Sequence, residues 1–293
     1  MKAVRPPLAG QRRLIKAVRF LLIAAAAFLL SSCATEASLV ARRYRLHSPK
    51  IKPGPTLTFA VLSDTHSQVF ENDGKRIVEM LAGAAPDLIF LVGDIIDNVL
   101  PMTGSEILLG NIERLAPIYF VPGNHEYYNR NMEEVFALVR SHGIAILQDS
   151  HVEVEVRGNA VIIAGVEDSA RARFHDPQYD WEAGAREAFA PLAGRSEYKI
   201  LLSHRPDHAA VFAGYGFDLM LSGHTHGGQI RLFPFTNGVY APGQGLFPKL
   251  SGGQYRIGAM NLVISRGVTT TRPNLPRINN PPEVVLIELT SSN

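Results

Sequence analysis

Phe217-Asp218-Leu219-Met220-Leu221-Ser222-Gly223-His224-Thr225-His226 is the stretch on which the reading of this chain turns. Phe217 to Leu221 is largely apolar and of strand length, and two imidazoles stand two residues apart just beyond it. Side chains alternate along an extended backbone, so residues two apart face the same side. His224 and His226 are therefore expected to leave a strand end with both rings aimed at one place. A mirror of this arrangement lies far upstream, where the apolar run Phe59–Leu62 is followed by Asp64 and His66. Imidazole and carboxylate are ligands that first-row divalent metals accept. The two pairs predict a single metal site assembled from distant parts of the chain.

Working outward from these anchors, residues 57–63 read as the first core strand and 73–81 as a helix with Ile77, Val78 and Leu81 on one face. Residues 87–92 form a second apolar strand, 106–115 a helix and 118–121 a third strand. Asn131 caps the next helix, with Glu134 in a capping-box position. After residue 143 the character changes to short strands at 144–147, 151–156 and 161–165, followed by a helical segment at 181–189. Residues 198–203 read as a strand, 207–212 as a short helix, 217–221 as the strand before the double histidine, and 229–250 as irregular. Late strands are expected at 254–257, 261–264 and 284–289. Near-continuous apolar strands alternating with helices indicate sheets covered on both faces. The order predicts an α/β fold, a four-layer αββα sandwich of two mixed sheets with flanking helices.

The N-terminus is of another kind. Lys2, Arg5, Arg12, Arg13, Lys16 and Arg19 precede the eleven-residue apolar run Phe20–Leu30, and Leu30-Ser31-Ser32-Cys33 closes it. A basic region, a short apolar region and small residues describe an export signal, and the run falls short of the about 20 apolar residues that span a bilayer. Leu-Ser-Ser-Cys resembles the lipobox of bacterial lipoproteins, in which the cysteine is lipidated; acyl chains contribute roughly 0.8 kcal/mol per buried methylene to membrane binding. A plain signal or an uncleaved anchor is the alternative, and Arg12-Arg13 weakly resembles a twin-arginine signal. Residues 1–33 are thus expected to be a signal, lipoprotein leader or anchor, 34–55 a proline-containing tether, and 56–293 the folded domain, exported and membrane-tethered at a bacterial cell envelope.

Cys33 is the only cysteine, so no disulfide holds the fold, and about 255 residues must be stabilised by an ordinary core. The formal charge of +2 is a property of the leader: with its six cations set aside, 23 Lys and Arg face 27 Asp and Glu. No clustered basic face of the kind that binds nucleic acid is evident.

Each remaining polar cluster follows an apolar strand, where ligands of open α/β sheets collect. In order they are Asp64-Thr65-His66, Gly93-Asp94-Ile95-Ile96-Asp97, Gly123-Asn124-His125-Glu126, Ser203-His204-Arg205 and Gly223-His224-Thr225-His226. These resemble the five blocks of the calcineurin-like metallophosphoesterase superfamily, over about residues 58–227. The segments 223–229, Ser265-Arg266-Gly267 and Pro282-Glu283 also resemble a bacterial membrane-associated phosphodiesterase branch, which has relatives that cleave a UDP-sugar lipid at its pyrophosphate. The resemblance implies that Asp64, His66 and His226 bind one metal, that Asn124, His204 and His224 bind the other, and that Asp94 bridges them. It implies two divalent ions (Mn, Fe, Zn or Co) and hydrolysis of a phosphodiester or pyrophosphate by a metal-bridging hydroxide. His125 is implied to stabilise developing charge or protonate the leaving oxygen, and Asp97 to orient His125 or another histidine. Gly93, Gly123 and Gly223 are equally explained as turn residues, and Glu126 and Thr225 as loop supports.

His47, His142, His151, His175 and His208 belong to no block, and Arg205 reads equally as a phosphate contact or a surface charge. The apolar residues of 232–248 are expected mainly as packed edge, or else as a rim admitting a lipid tail or aromatic leaving group. The same ligands serve a phosphomonoesterase or protein phosphatase, and a metal-binding envelope lipoprotein without activity is the non-enzymatic alternative.

Overall fold

The computed structural model describes residues 38–232, 235–269 and 276–292. The leader 1–33, with Cys33 and the Arg12-Arg13 pair, therefore lies outside the described residues. So do residues 34–37 of the expected tether and 233–234 of the expected rim.

One six-stranded sheet is built on β1 (Val40–Ser48), β2 (Leu57–Leu62), β3 (Leu88–Val92), β4 (Ile118–Val121) and β5 (Ala145–Ile146), and it is completed by β14 (Glu283–Ser291). Its order is β1-β14-β2-β3-β4-β5, with β2 to β5 parallel and β14 antiparallel to β2. The second sheet contains β6 (Ser150–Val156), β7 (Asn159–Gly165), β8 (Tyr198–Leu202), β9 (Leu219–Ser222), β12 (Gly253–Ile257) and β13 (Met260–Ile264). Its order is β12-β13-β9-β8-β7-β6, parallel from β13 to β7 and antiparallel at each edge. A small hairpin, β10 (Tyr240–Ala241) with β11 (Gly245–Leu246), sits within the stretch expected to be irregular.

The alternation along β2 explains the layering. Phe59 and Val61 face the second sheet, where they join Phe90, Val92, Ile163, Ile200, Leu202, Leu219, Leu221 and Val263. Ala60 and Leu62 face outward onto the helices α1 (Lys75–Ala84), α2 (Thr103–Ile112) and α4 (Met132–Ser141) through Ile77, Leu81, Leu108, Leu109, Val135 and Val139. On the far side Ile162, Leu201 and Met220 meet Ala185 and Phe189 of α6 (Trp181–Phe189) and Phe212 of α7 (Ala209–Phe212). Fully burying each Phe, Leu or Ile contributes about 1.5–3 kcal/mol, and every strand from β2 to β4 spends residues on both faces. The four-layer α/β sandwich expected from the sequence is thus the observed one. Two further short helices, α3 (Asn124–Tyr128) and α5 (Ala170–Phe174), stand above the sheet ends.

The tether reading of 34–55 needs correction. Residues 40–48 are a strand, paired in parallel along their whole length with β14. Leu46 is buried, and Arg43 and Arg45 reach Glu288 at 2.9 and 3.0 Å. An edge strand with one solvated face carries its charges at alternate positions, and that charge made the segment read as a linker. Among the described residues no helix is long and apolar enough to cross a membrane.

Candidate metal centre

The parallel strands of the two sheets end side by side, and the five clusters leave those ends. Asp64 follows β2, Asp94 follows β3, Asn124 opens α3 just after β4, His204 follows β8 and His224 follows β9. Backbone bonds lock neighbouring loops: Asp64 N–H donates to Gly93 O (3.0 Å), His66 N–H to Asp94 O (2.9 Å) and Gly223 N–H to His204 O (3.0 Å). The two sheets are joined at the site itself, where His224 N–H donates to Asp64 Oδ1 at 3.0 Å.

The loops turn sharply. Asp64 (φ 53°), His66 (48°), Asp94 (53°), His224 (69°) and His226 (46°) all occupy left-handed backbone, which costs a non-glycine residue roughly 1–2 kcal/mol. Such outliers persist where surroundings hold them and cluster at functional sites. They also correct the expectation for the double histidine. His224 and His226 lie beyond the strand, so strand alternation does not govern them, and their rings go to different ligand sets. His226 joins Asp64 and His66, its ring stacked 5.3 Å from that of His66, while His224 joins Asp94 and His204, its ring 5.0 Å from that of His204.

Glycine is required here for close approach rather than for turning alone. A Cβ on Gly93 (φ 75°) would lie 2.4 Å from His204 Nδ1, and one on Gly123 would lie 2.4 Å from Asp94 Oδ1 and 2.7 Å from His204 Cδ2. Glu126 is the loop support: its fully buried carboxylate accepts N–H groups from Asp94 (2.9 Å), Ile95 (2.7 Å), Ile96 (2.8 Å) and Gly123 (2.7 Å). Burial and the adjacent Asp94 carboxylate push Glu126 up to about 7 in spite of those four donors.

The donor atoms fit cations. His66 Nε2, His204 Nε2, His226 Nδ1 and Asn124 Oδ1 are buried and make no hydrogen bond among the described residues, a costly state for polar atoms unless a ligand satisfies them. His204 Nδ1 lies 2.8 Å from Val92 O; donating there leaves Nε2, 3.1 Å from Asp94 Oδ2, as the nitrogen that takes up either a proton or a cation. His66 Nε2 is 3.8 Å from the same oxygen. Burial drives His224 and His226 well below the ordinary imidazole range, which keeps them in the neutral, ligating form. Burial disfavours charge on Asp94 as well, yet His204, His125 and His66 around it hold its carboxyl well below the usual range. Asp64, more weakly compensated, is raised by burial. His204 rises to about 10, because the Asp94 carboxylate outweighs its burial. The pocket is thus an electrostatic trap for positive charge.

His125 stands at the mouth. Its N–H donates to Asp94 Oδ1 (2.8 Å), its Nδ1 lies 2.9 Å from Asn98 Oδ1, and its ring sits edge-on, 4.4 Å from that of His66. Asp97 Oδ2 is 3.4 Å from His66 Nδ1 and 3.9 Å from His125 Nδ1. The carboxylate therefore serves His66, and Asn98, which no motif pointed to, serves His125. The five histidines outside the blocks stay outside the centre: His175 Nε2 contacts Tyr127 O at 2.8 Å, and His208 packs on Trp181 at 4.0 Å. The site opens into a cavity of about 360 Å³ lined by His66, Asp94, Asn124, His125, His224 and His226 together with Tyr128, Arg205, Pro242 and Gly243. Of these last four, sequence reasoning weighed only Arg205 individually, since none of them completes a spaced motif.

Comparison with known proteins agrees with this geometry. Residues 57–228 match the family model described as calcineurin-like phosphoesterase. The chain is 30% identical over 286 residues to the uncharacterized protein YpbG of Bacillus subtilis, covering 94% of this chain and 97% of YpbG. It is 30% identical over 237 residues to the uncharacterized metallophosphoesterase YkuE of the same organism, covering 79% and 78%. The sulfate thiohydrolase SoxB of Thermus thermophilus, solved with glycerol, superimposes with a TM-score of 0.50 at 15% identity, over 82% of this chain and 57% of that one, a likeness of fold alone. Clustered histidine and aspartate ligand sets on this fold carry dinuclear-metal phosphoester hydrolysis, and the chain belongs to the calcineurin-like phosphoesterase family.

Proposed function

We propose that this phosphohydrolase acts on a phosphodiester or pyrophosphate rather than on a phosphomonoester, with Asp64, His66 and His226 holding one cation, Asn124, His204 and His224 the other, and Asp94 shared. The observation that carries the assignment is the placing of Asp94, whose Oδ2 faces His204 Nε2 at 3.1 Å and His66 Nε2 at 3.8 Å. Two divalent cations bound there supply Lewis acidity to phosphoryl oxygens and lower the pKa of water.

The chain's own groups do the rest. Asp97 fixes the ring of His66, as carboxylates beside ligating histidines commonly do. Asn98 turns His125 so that its ring edge lines the cavity, within reach of an oxygen leaving phosphorus; His125 stabilises charge there or hands over a proton. The intact ligand sets and this histidine speak for an enzyme over a silent metal-binding lipoprotein.

A lipid-linked substrate is the finer reading. Close in sequence or contact to lining residues, Val99 and Leu100 follow Asn98, Phe174 packs on Tyr128 at 4.7 Å, and Tyr240, Leu246 and Phe247 belong to or adjoin the hairpin that carries Pro242 and Gly243; these six side chains are exposed. These side chains are more open than packed edge would be, and they suit an apolar tail. With the export-signal pattern of residues 1–33, this supports an enzyme tethered at a bacterial envelope and related to the membrane-associated phosphodiesterase branch. The test is turnover by the metal-loaded full chain on a simple diester, a monoester and a lipid-linked pyrophosphate. The proposal expects the monoester to be slowest, and a monoester preference would replace it with the phosphatase reading.

A further inference from the structure

Arg205 directly follows His204, and the loop brings its side chain to the same cavity. It is the one lysine or arginine among the described residues that line the cavity. Its Nε donates to both oxygens of Asp168, at 3.0 and 2.9 Å. The Asp168 carboxylate is fully buried, and its Oδ1 also accepts the Ala170 N–H at 2.8 Å at the start of α5, so the anchor is itself fixed. A purely structural Arg–carboxylate pair commonly spends two nitrogens of the fork. Here Asp168 takes Nε alone, and the other edge of the guanidinium faces inward.

That inner edge meets the reacting centre. Nη1 lies 3.1 Å from His224 Nε2, and Tyr128 lines the same cavity as the guanidinium. The Tyr128 ring is held between His125 (5.2 Å) and Phe174 (4.7 Å). Opposite, Gly243 (φ 75°) leaves room: a Cβ there would come within 3.9 Å of both Arg205 Nη1 and His224 Nε2. A cation fixed by a buried carboxylate thus stands beside His224, in the cavity that Tyr128 also lines.

We propose that Arg205, positioned by Asp168 and with Tyr128 lining the same cavity, binds a second anionic phosphate next to the scissile one, so that the favoured substrate class is a pyrophosphate-linked ester. This rests on the hydrolytic reading of the centre. Water adds to one phosphorus, the bridging P–O bond breaks with its electron pair leaving on the second phosphate, and the water proton passes to solvent, giving two phosphomonoesters. A departing phosphate carries negative charge and is stabilised by a fixed cation, whereas an alkoxide needs a proton donor. A guanidinium is suited to this role because its N–H groups match phosphate oxygens and it stays charged.

The experiment compares the metal-loaded full chain with Arg205→Met, Arg205→Lys, Asp168→Asn and Tyr128→Phe variants. Substrates are diadenosine diphosphate as the pyrophosphate, bis(p-nitrophenyl) phosphate as the simple diester and p-nitrophenyl phosphate as the monoester, with metal content measured in each protein. Losing one charge-assisted bond predicts a fall of about tenfold to hundredfold in kcat/KM of Arg205→Met on the pyrophosphate, against less than about threefold on the diester by the same measure. Asp168→Asn should raise KM for the pyrophosphate more than it lowers kcat, Arg205→Lys should recover part of the loss, and Tyr128→Phe should show a smaller, pyrophosphate-only loss. Equal losses on all three substrates, or no loss on the pyrophosphate, overturn the proposal; should Arg205→Met lose metal, Tyr128→Phe decides in the same way. If the metal-loaded wild type turns over none of the substrates, the hydrolytic reading itself fails and this inference goes with it.

Discussion

Replacing Glu126 by glutamine tests how the centre is held. One carboxylate takes four backbone N–H groups, from Asp94, Ile95, Ile96 and Gly123, within 2.7–2.9 Å. In Glu126→Gln the amide oxygen can keep two of these donors, in either orientation. The amide nitrogen then confronts the other two, in a place with no solvent access. Each buried N–H left without an acceptor costs about 1–3 kcal/mol, so the substitution should cost roughly 2–6 kcal/mol, a large part of a typical domain's stability. At about 2–4 °C per kcal/mol for a chain of this size, the melting temperature of the metal-loaded protein should fall by roughly 10 °C. The Asp94 loop loses its brace in the same step, so metal content measured by elemental analysis should fall too. A variant that melts within about 2 °C of the parent, keeps its metal and yet loses turnover would refute the bracing role, since that drop is well below the one expected, and would make Glu126 a participant in the chemistry.

Other substitutions separate the remaining roles. Asp94→Asn and His125→Ala should both suppress turnover, but only Asp94→Asn should markedly lower metal content; comparable metal loss in both contradicts the division between ligand and mouth residue. Gly93→Ala should fold poorly or lose metal, because its Cβ would lie 2.4 Å from His204 Nδ1; retention of two metals and full activity would show that the loop gives more freely than the packing implies. Glu167 offers a pH test away from the ligands. Burial raises its pKa from 4.5 to about 7 in the folded chain, although Arg171 at 3.1 Å opposes the shift. The folded state thus holds a proton that the unfolded state releases, so this group's contribution to stability declines as pH rises from 4.5 to 7, by up to about 3 kcal/mol. Denaturant titrations of Glu167→Gln should show a flatter pH slope over that window, and an unchanged slope would exclude the effect.

The sequence carried the centre well because its parts are short-range. Each block sits directly after an apolar strand, and parallel strands in adjacent positions must deliver their ends to one edge, so the convergence of Asp64, Asp94, Asn124, His204 and His224 is legible in the sequence. Other features depended on information no local pattern contains. Val40–Ser48 alternates as an edge strand should, but Arg43, Arg45 and His47 on its solvated face masked the period. The family resemblance assigns His224 and His226 to different ligand sets, but the Gly-His-Thr-His spacing by itself does not demand the left-handed turns that separate them. The pairing of Asp97 with His66 and of Asn98 with His125 is decided by small differences in distance: Asp97 lies 3.4 Å from His66 against 3.9 Å from His125, which Asn98 approaches to 2.9 Å. Asp168 and Arg205 are 37 residues apart, on different loops, and they meet only in the folded sheet.

The central claim is that two cations share Asp94, and metal analysis with anomalous scattering from crystals of fully loaded protein tests it most directly. The account predicts two anomalous peaks flanking the Asp94 carboxylate, one beside His66 and His226 and the other beside His204 and His224, with two equivalents of metal per chain. A single peak, or none, in protein that hydrolyses phosphoesters would contradict it.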